Sequence, residues 1–157
     1  NTPGTDGNHT MLVRTRDTGA ADAIFTGVQS MLSDLGWTSL REVTLANSRR
    51  ADILAMSRKG EFAIIEVKSC LGDFTSDSKW PDYRDYCDLF YFAVNAEFPQ
   101  EKVPTATGLI VADAFNGAIL REGERNKLAA ARRKAITQTF ARLAASRLYR
   151  IQRDALA

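Results

Sequence analysis

Apolar residues recur at three- and four-residue steps through Ala21, Ile24, Phe25, Val28, Leu32 and Leu35. That period lays one stripe along a helix and predicts helix over 18–35, with Gly36 as its stop. The pattern then changes. Leu40, Val43 and Leu45 give strand character to 39–46, and the polar run Asn47-Ser48-Arg49-Arg50 ends it. Residues 51–57 and 61–69 read as two further strands, joined by a tight turn at Arg58-Lys59-Gly60. The stretch Phe62-Ala63-Ile64-Ile65 is apolar on both alternating faces, as in a central strand of a covered sheet. A short helix is expected over 76–87, with Pro81 in its first turn or at a kink. Strands follow at 89–94, 108–112 and 118–120, the last after the turn signal Asn116-Gly117. The final helix is predicted over 124–150, lined by Leu128, Ala131, Ala135, Ile136, Phe140, Leu143 and Leu148. The order αβββαβ, with more strand and a last helix, predicts an α/β (α+β) fold: a central mixed β-sheet flanked by helices. One domain over 18–157 is expected, behind a flexible N-terminal segment, 1–17.

Composition narrows the chemistry. A chain of 157 residues, 45% hydrophobic and 25% charged, suits one globular core. No apolar run reaches the roughly 18–20 residues that span a membrane, and no leader pattern precedes the first helix. A cytoplasmic place is therefore expected, with Cys70 and Cys87 as free thiols. His9 is the only histidine. One histidine and two cysteines fall short of the roughly four N/S ligands of a structural zinc site. Any metal should be a hard cation held by oxygen. The net charge of +2 is unevenly spread: ten Lys/Arg and three Asp/Glu lie in 121–157, which carries +7 against −5 for the rest. Such a tail suits a polyanionic partner, and equally a solvated helix face.

Glu66 and Lys68 stand in the most apolar strand, two residues apart, so they share a face. Burying either one unpaired costs several kcal/mol by rough estimate. Asp52 joins them through register. Residues 52 and 66 are equidistant from Lys59, so a three-residue loop at 58–60 sets them opposite one another, about 4.5–5.5 Å apart at Cβ. A two-residue loop would send Asp52 to the other face. Two carboxylates that close repel unless a proton or cation lies between them. A divalent metal resolves the repulsion, and the set then suits phosphodiester hydrolysis. Mg²⁺ (or Mn²⁺) fits, because Mg²⁺ takes only one or two carboxylates and keeps its waters. An ordinary ion pair of Lys68 with Asp52 or Glu66 explains the spacing equally well. Arg49 and Arg50 are placed to clamp a phosphate, or simply form a polar loop. Trp80, Tyr83 and Tyr86 are candidates to stack on unpaired bases, or to anchor the core.

Arg50-Ala51-Asp52 followed by Ile64-Ile65-Glu66-Val67-Lys68 resembles the D…(D/E)xK signature of the PD-(D/E)XK nuclease superfamily, the restriction-endonuclease-like fold. A closer resemblance is to the MmcB family of bacterial DNA-repair proteins. It rests on Arg49-Arg50-Ala51-Asp52, Glu66-Val67-Lys68-Ser69, Asp73-Phe74, Asp77-Ser78-Lys79-Trp80-Pro81-Asp82-Tyr83, Cys87-Asp88 and Tyr91-Phe92-Ala93. The resemblance implies a DNA-directed repair protein, working with DNA and other repair proteins and not with a membrane. It implies Asp52 and Glu66 as metal ligands, the Val67 carbonyl as a third, Lys68 as the catalytic lysine, and Glu42 as an additional acid. Ala51 replaces the motif's proline. Lys79 stands where several DNA-end-processing relatives carry glutamine, ahead of Tyr83, and is expected to meet phosphate as a point charge. A non-catalytic DNA- or protein-binding module with the same fold is the alternative.

Overall fold

The computed structural model describes residues 18–75 and 79–157. The lead-in over 1–17 with His9, and Asp77 and Ser78 of the matched stretch, lie outside them. The elements are α1 (Thr18–Asp34), β1 (Thr38–Thr44), β2 (Arg50–Met56), β3 (Phe62–Lys68), α2 (Leu71–Thr75), β4 (Leu89–Val94), β5 (Gly108–Ala112), β6 (Gly117–Arg121) and α3 (Ala130–Ala155). A 3₁₀ helix at Trp80–Tyr86 lies between α2 and β4, with Pro81 at its start. The six strands form one sheet in chain order. β1–β2, β2–β3 and β5–β6 are antiparallel; β3–β4 and β4–β5 are parallel. The expected mixed sheet between helices is what forms.

Each face buries its own apolar set. Ile24, Val28 and Leu32 of α1 join Ile53, Ile65 and Ile110 in one cluster. Ile136 and Phe140 of α3 join Phe62, Ile64 and Phe92 in the other, together with Tyr83. β3 runs between them with Phe62 to Glu66 buried. Gly36 ends α1 at φ +82, where its N–H donates to Ser33 O and the next N–H, of Trp37, to Leu32 O.

Two predicted elements are corrected. Leu35 lies beyond the packed stripe and is exposed, because the chain turns away at Gly36. α3 begins at Ala130 rather than 124, since the preceding segment spends its amides elsewhere: Asn126 N–H donates to Asp88 O and Leu128 N–H to Asp88 Oδ1. Leu148 was expected on the buried side of that helix. It is 56% exposed, and Ala131 and Ala135 are exposed too, because α3 continues past the sheet with only Ile136 and Phe140 buried.

Much of the basic tail is committed inside the molecule. Arg133 pairs with Asp88, Arg125 with Glu61, and Arg121 donates to the carbonyls of Thr107 and Pro104. Arg147 reaches back from α3 to the carbonyls of Arg41 and Glu42. Both cysteines are free thiols; Cys87 is buried, whereas Cys70 is exposed rather than packed. No helix among the described residues is long and apolar enough to cross a membrane.

Candidate functional site

The β2–β3 hairpin sets the site. Ladder pairs run from Met56↔Phe62 to Ile53↔Ile65, each symmetric about residue 59. The turn closes with Ser57 N–H donating to Glu61 O, and Gly60 takes the left-handed backbone at φ +79. This is a three-residue loop with glycine at its αL position. One further step of the register brings Asp52 opposite Glu66.

There the ladder gives way to side chains. Asp52 N–H donates to Glu66 Oε1 at 3.0 Å, and Val67 N–H donates to Asp52 Oδ2 at 2.8 Å. Each carboxylate thus satisfies a backbone amide of the other strand and keeps one oxygen, Asp52 Oδ1 and Glu66 Oε2, outside these two bonds. Glu66 is only 5% exposed. Burial, reinforced by the Asp52 charge, pushes its carboxyl up to about 9. Burial also raises Asp52, against the lowering pull of the Val67 amide and of Lys68.

The β1–β2 register places Glu42 across from Asp52, between the pairs Arg41↔Ile53 and Val43↔Ala51. Glu42 itself has φ 52, so its backbone leaves the strand geometry. Its carboxylate is exposed and stands 3.9 Å from Arg50. Among the described residues no cluster of three or more His, Cys, Asp or Glu is close enough to hold a metal. Asp52 and Glu66 are the two carboxylates the hairpin holds together, a number Mg²⁺ accepts.

Asp52, Glu66, Val67 and Lys68 line a cleft of about 550 Å³, and so do Glu42, Arg49, Arg50, Lys79 and Tyr83. Their roles within it differ. Arg49 is fixed to Asp82 by two hydrogen bonds of 2.9 and 3.0 Å, which tie the β1–β2 loop to the 3₁₀ helix. Tyr83 is buried, lies parallel to Phe90 and donates its hydroxyl to Arg50 O at 3.1 Å. Trp80 does not line the cleft; its ring packs on Phe90 and Phe92 at 5.8 and 6.4 Å. Tyr86 faces away, into a neighbouring groove under the Arg132 guanidinium. α1 also lines the cleft, through Ala21, Asp22 and Phe25. Helical periodicity places Phe25 on the core stripe. Only its position one residue after Ile24, on the flank of that stripe, hints that it reaches outward.

A model of the family described as "DNA repair protein MmcB-like" matches residues 8–155. Among solved structures, a "SPO1766 protein of unknown function" from Silicibacter pomeroyi superposes with a TM-score of 0.82 and is 39% identical, covering 85% of this chain and 91% of its own. No curated protein matches. With the match running through every element from α1 to α3, the chain belongs to the MmcB-like family of DNA repair proteins.

Proposed function

We propose that the cleft is a metal-dependent phosphodiesterase site that hydrolyses DNA during repair, and that the chain is a PD-(D/E)XK nuclease. The observation that carries the reading is the cross-strand lock of Asp52 and Glu66 with Lys68 beside it, all three opening on one cleft. A divalent cation there, Mg²⁺ or Mn²⁺, supplies a Lewis acid and a water of lowered pKa. Asp52 Oδ1 and Glu66 Oε2, with the Val67 carbonyl, would hold it. The two amide bonds fix the carboxylates before any cation arrives, so little order is lost on binding. Lys68 lies two residues from Glu66 on the same face and presents its ammonium to the attacking water or to charge developing on the phosphoryl oxygens. Arg50 and Lys79, both exposed at the rim, attract the phosphate backbone. Glu42 would act at most through a bound water, since its carboxylate leans toward Arg50.

The second reading is a DNA- or protein-binding module without turnover. It is favoured by the same lock: each carboxylate finds a backbone partner without a metal, so the pair is sustainable as structure alone. One experiment separates the two. Nicked, flapped, branched and single-stranded DNA are incubated with Mn²⁺ and wild-type protein or Lys68→Ala. Cleavage by the wild type and its loss in the variant support the nuclease. No cleavage on any substrate, or equal cleavage by both, refutes it.

A further inference from the structure

We propose that Phe25 is a nucleobase platform, and that the cleft therefore takes DNA with an unpaired nucleotide rather than intact duplex. This inference rests on the reading of the cleft as a DNA site. A nucleotide has an anionic side and a flat apolar side, and the cleft lining offers groups for both. Asp52, Glu66, Lys68, Arg50 and Lys79 line it. α1 adds Ala21, Asp22 and Phe25.

Phe25 is held as a platform would need to be. It is only half-buried, with part of its surface packed on the α1-side core. The Arg41 guanidinium lies over the ring, 4.9 Å from its centroid, and Arg41 is not part of the cleft lining. The guanidinium thus holds one face of the ring. Arg41 in turn is pinned by Gln29 Oε1 at 2.6 Å and Thr26 Oγ1 at 3.4 Å, and Gln29 donates to Ser39 Oγ at 2.9 Å. Thr26 and Gln29 stand on α1 and Ser39 and Arg41 on β1, so the brace ties the platform to the edge of the sheet. A braced aromatic costs little entropy when a base settles on it. The other aromatics are placed differently: Tyr83 is buried and stacks on Phe90, Trp80 packs on Phe90 and Phe92 outside the cleft lining, and Tyr86 lines a neighbouring groove.

Selectivity follows from geometry. In a duplex both faces of a base are covered by its neighbours, so a wall-mounted ring finds only edges. A frayed end, a flap or a single strand offers a free face, and stacking on aromatics tolerates any base.

The test measures binding separately from cleavage. In a Lys68→Ala background, which keeps DNA intact, Phe25→Leu and Phe25→Tyr are titrated with a short single-stranded oligodeoxynucleotide carrying 2-aminopurine, and with the matching duplex. Thermal melts check folding, and leucine preserves most of the volume against the core. Phe25→Leu should weaken single-strand binding about five- to hundredfold and abolish the 2-aminopurine quench, with duplex binding changed less than about twofold. Phe25→Tyr should restore both. Equal single-strand binding by the leucine variant and its parent overturns the proposal, as does equal loss on both DNAs or failure of tyrosine to rescue. The nuclease reading is judged on another axis. Phe25-dependent binding with no cleavage by protein carrying Lys68 leaves the platform standing and removes the nuclease; cleavage indifferent to Phe25 does the reverse.

Discussion

Asp52 and Glu66 hold each other's strands: Glu66 Oε1 accepts the Asp52 amide, and Asp52 Oδ2 accepts the amide after Glu66. The exchange replaces a ladder step with two acids in a buried place, and its consequence is a pH dependence. Glu66 keeps its proton up to about 9 in the folded chain, well above its ordinary value. The folded state then binds a proton that the unfolded chain has lost, so the contribution is complete below the ordinary carboxylate range and disappears as pH rises through about 9. Metal-free protein should lose thermal stability steadily from about pH 5 to pH 9. Glu66→Gln should flatten that slope and melt higher than wild type at pH 8. A melt series at fixed ionic strength decides it, and parallel curves would mean the pair is not protonated.

Cation binding should run the other way. A metal takes the place of the proton, so affinity tightens as pH rises. At a concentration about a hundredfold above Kd, Mg²⁺ or Mn²⁺ should add about 2.7 kcal/mol, on the order of 5–10 °C in melting temperature for a chain this size. Asp52→Asn should abolish that gain while leaving the metal-free protein folded, since the amide side chain still offers Oδ to Val67. Differential scanning fluorimetry with and without EDTA reads it directly.

Asp88 and Arg133 make a partly buried ion pair, and it serves the fold. Two guanidinium nitrogens reach the carboxylate at 2.6 and 2.9 Å, while the Phe62 amide donates to Oδ2 at 2.8 Å. The starts of β3 and β4 and the first turn of α3 are thus fastened at one group. Burial alone would raise Asp88, but the Arg133 and Phe62 hydrogen bonds outweigh it and hold the carboxyl below its usual value. The sign is opposite to Glu66: this stability is present above the ordinary carboxylate range and is lost as pH falls through the lowered value. Arg133→Ala should cost about 3 kcal/mol and roughly 6–12 °C, measured at pH 7. Asp88→Asn should remove the acid-side decline attributable to this group. If DNA binding falls in Arg133→Ala only in proportion to unfolded protein, the arginine belongs to the scaffold.

What the sequence made legible divides along physical lines. The hairpin register was readable because the distance between Asp52 and Glu66 is centred on Lys59 and Gly60 can adopt the φ that a three-residue loop requires. The start of α3 was not, because nothing in local propensity says that the amides of Asn126 and Leu128 will be claimed by Asp88, some forty residues earlier in the chain. Charge counting likewise could not sort the residues of the tail. Arg133 and Arg147 are spent on a buried carboxylate and two strand carbonyls, and only a contact map distinguishes them from a phosphate-facing surface. For the aromatics, type was no guide to side. Trp80 is drawn inward by Phe90 and Phe92, and Tyr83, though it lines the cleft, is buried against Phe90, while Phe25, which reads as core, lines the cleft as well.

Glu42 offers a clean separation of strain from chemistry. Its left-handed backbone costs a non-glycine residue about 1–2 kcal/mol, and Arg147 helps hold the position by donating to its carbonyl. Glu42→Gly removes that strain. It also gives the unfolded chain more freedom, at about 0.5–1 kcal/mol. The ion pair lost with Arg50, exposed and 3.9 Å long, contributes little. The terms nearly cancel, so Glu42→Gly should melt within about 2–4 °C of wild type. Glu42→Ala keeps the strain and should be the less stable of the two, which checks the accounting. With folding held constant, any change in the Mg²⁺-induced melting shift or in Mn²⁺-dependent cleavage belongs to the carboxylate. A loss of about tenfold or less in either is expected of an acid acting through a water. A loss as large as that of Asp52→Asn would make Glu42 a direct ligand and require its side chain to swing from Arg50 toward Asp52.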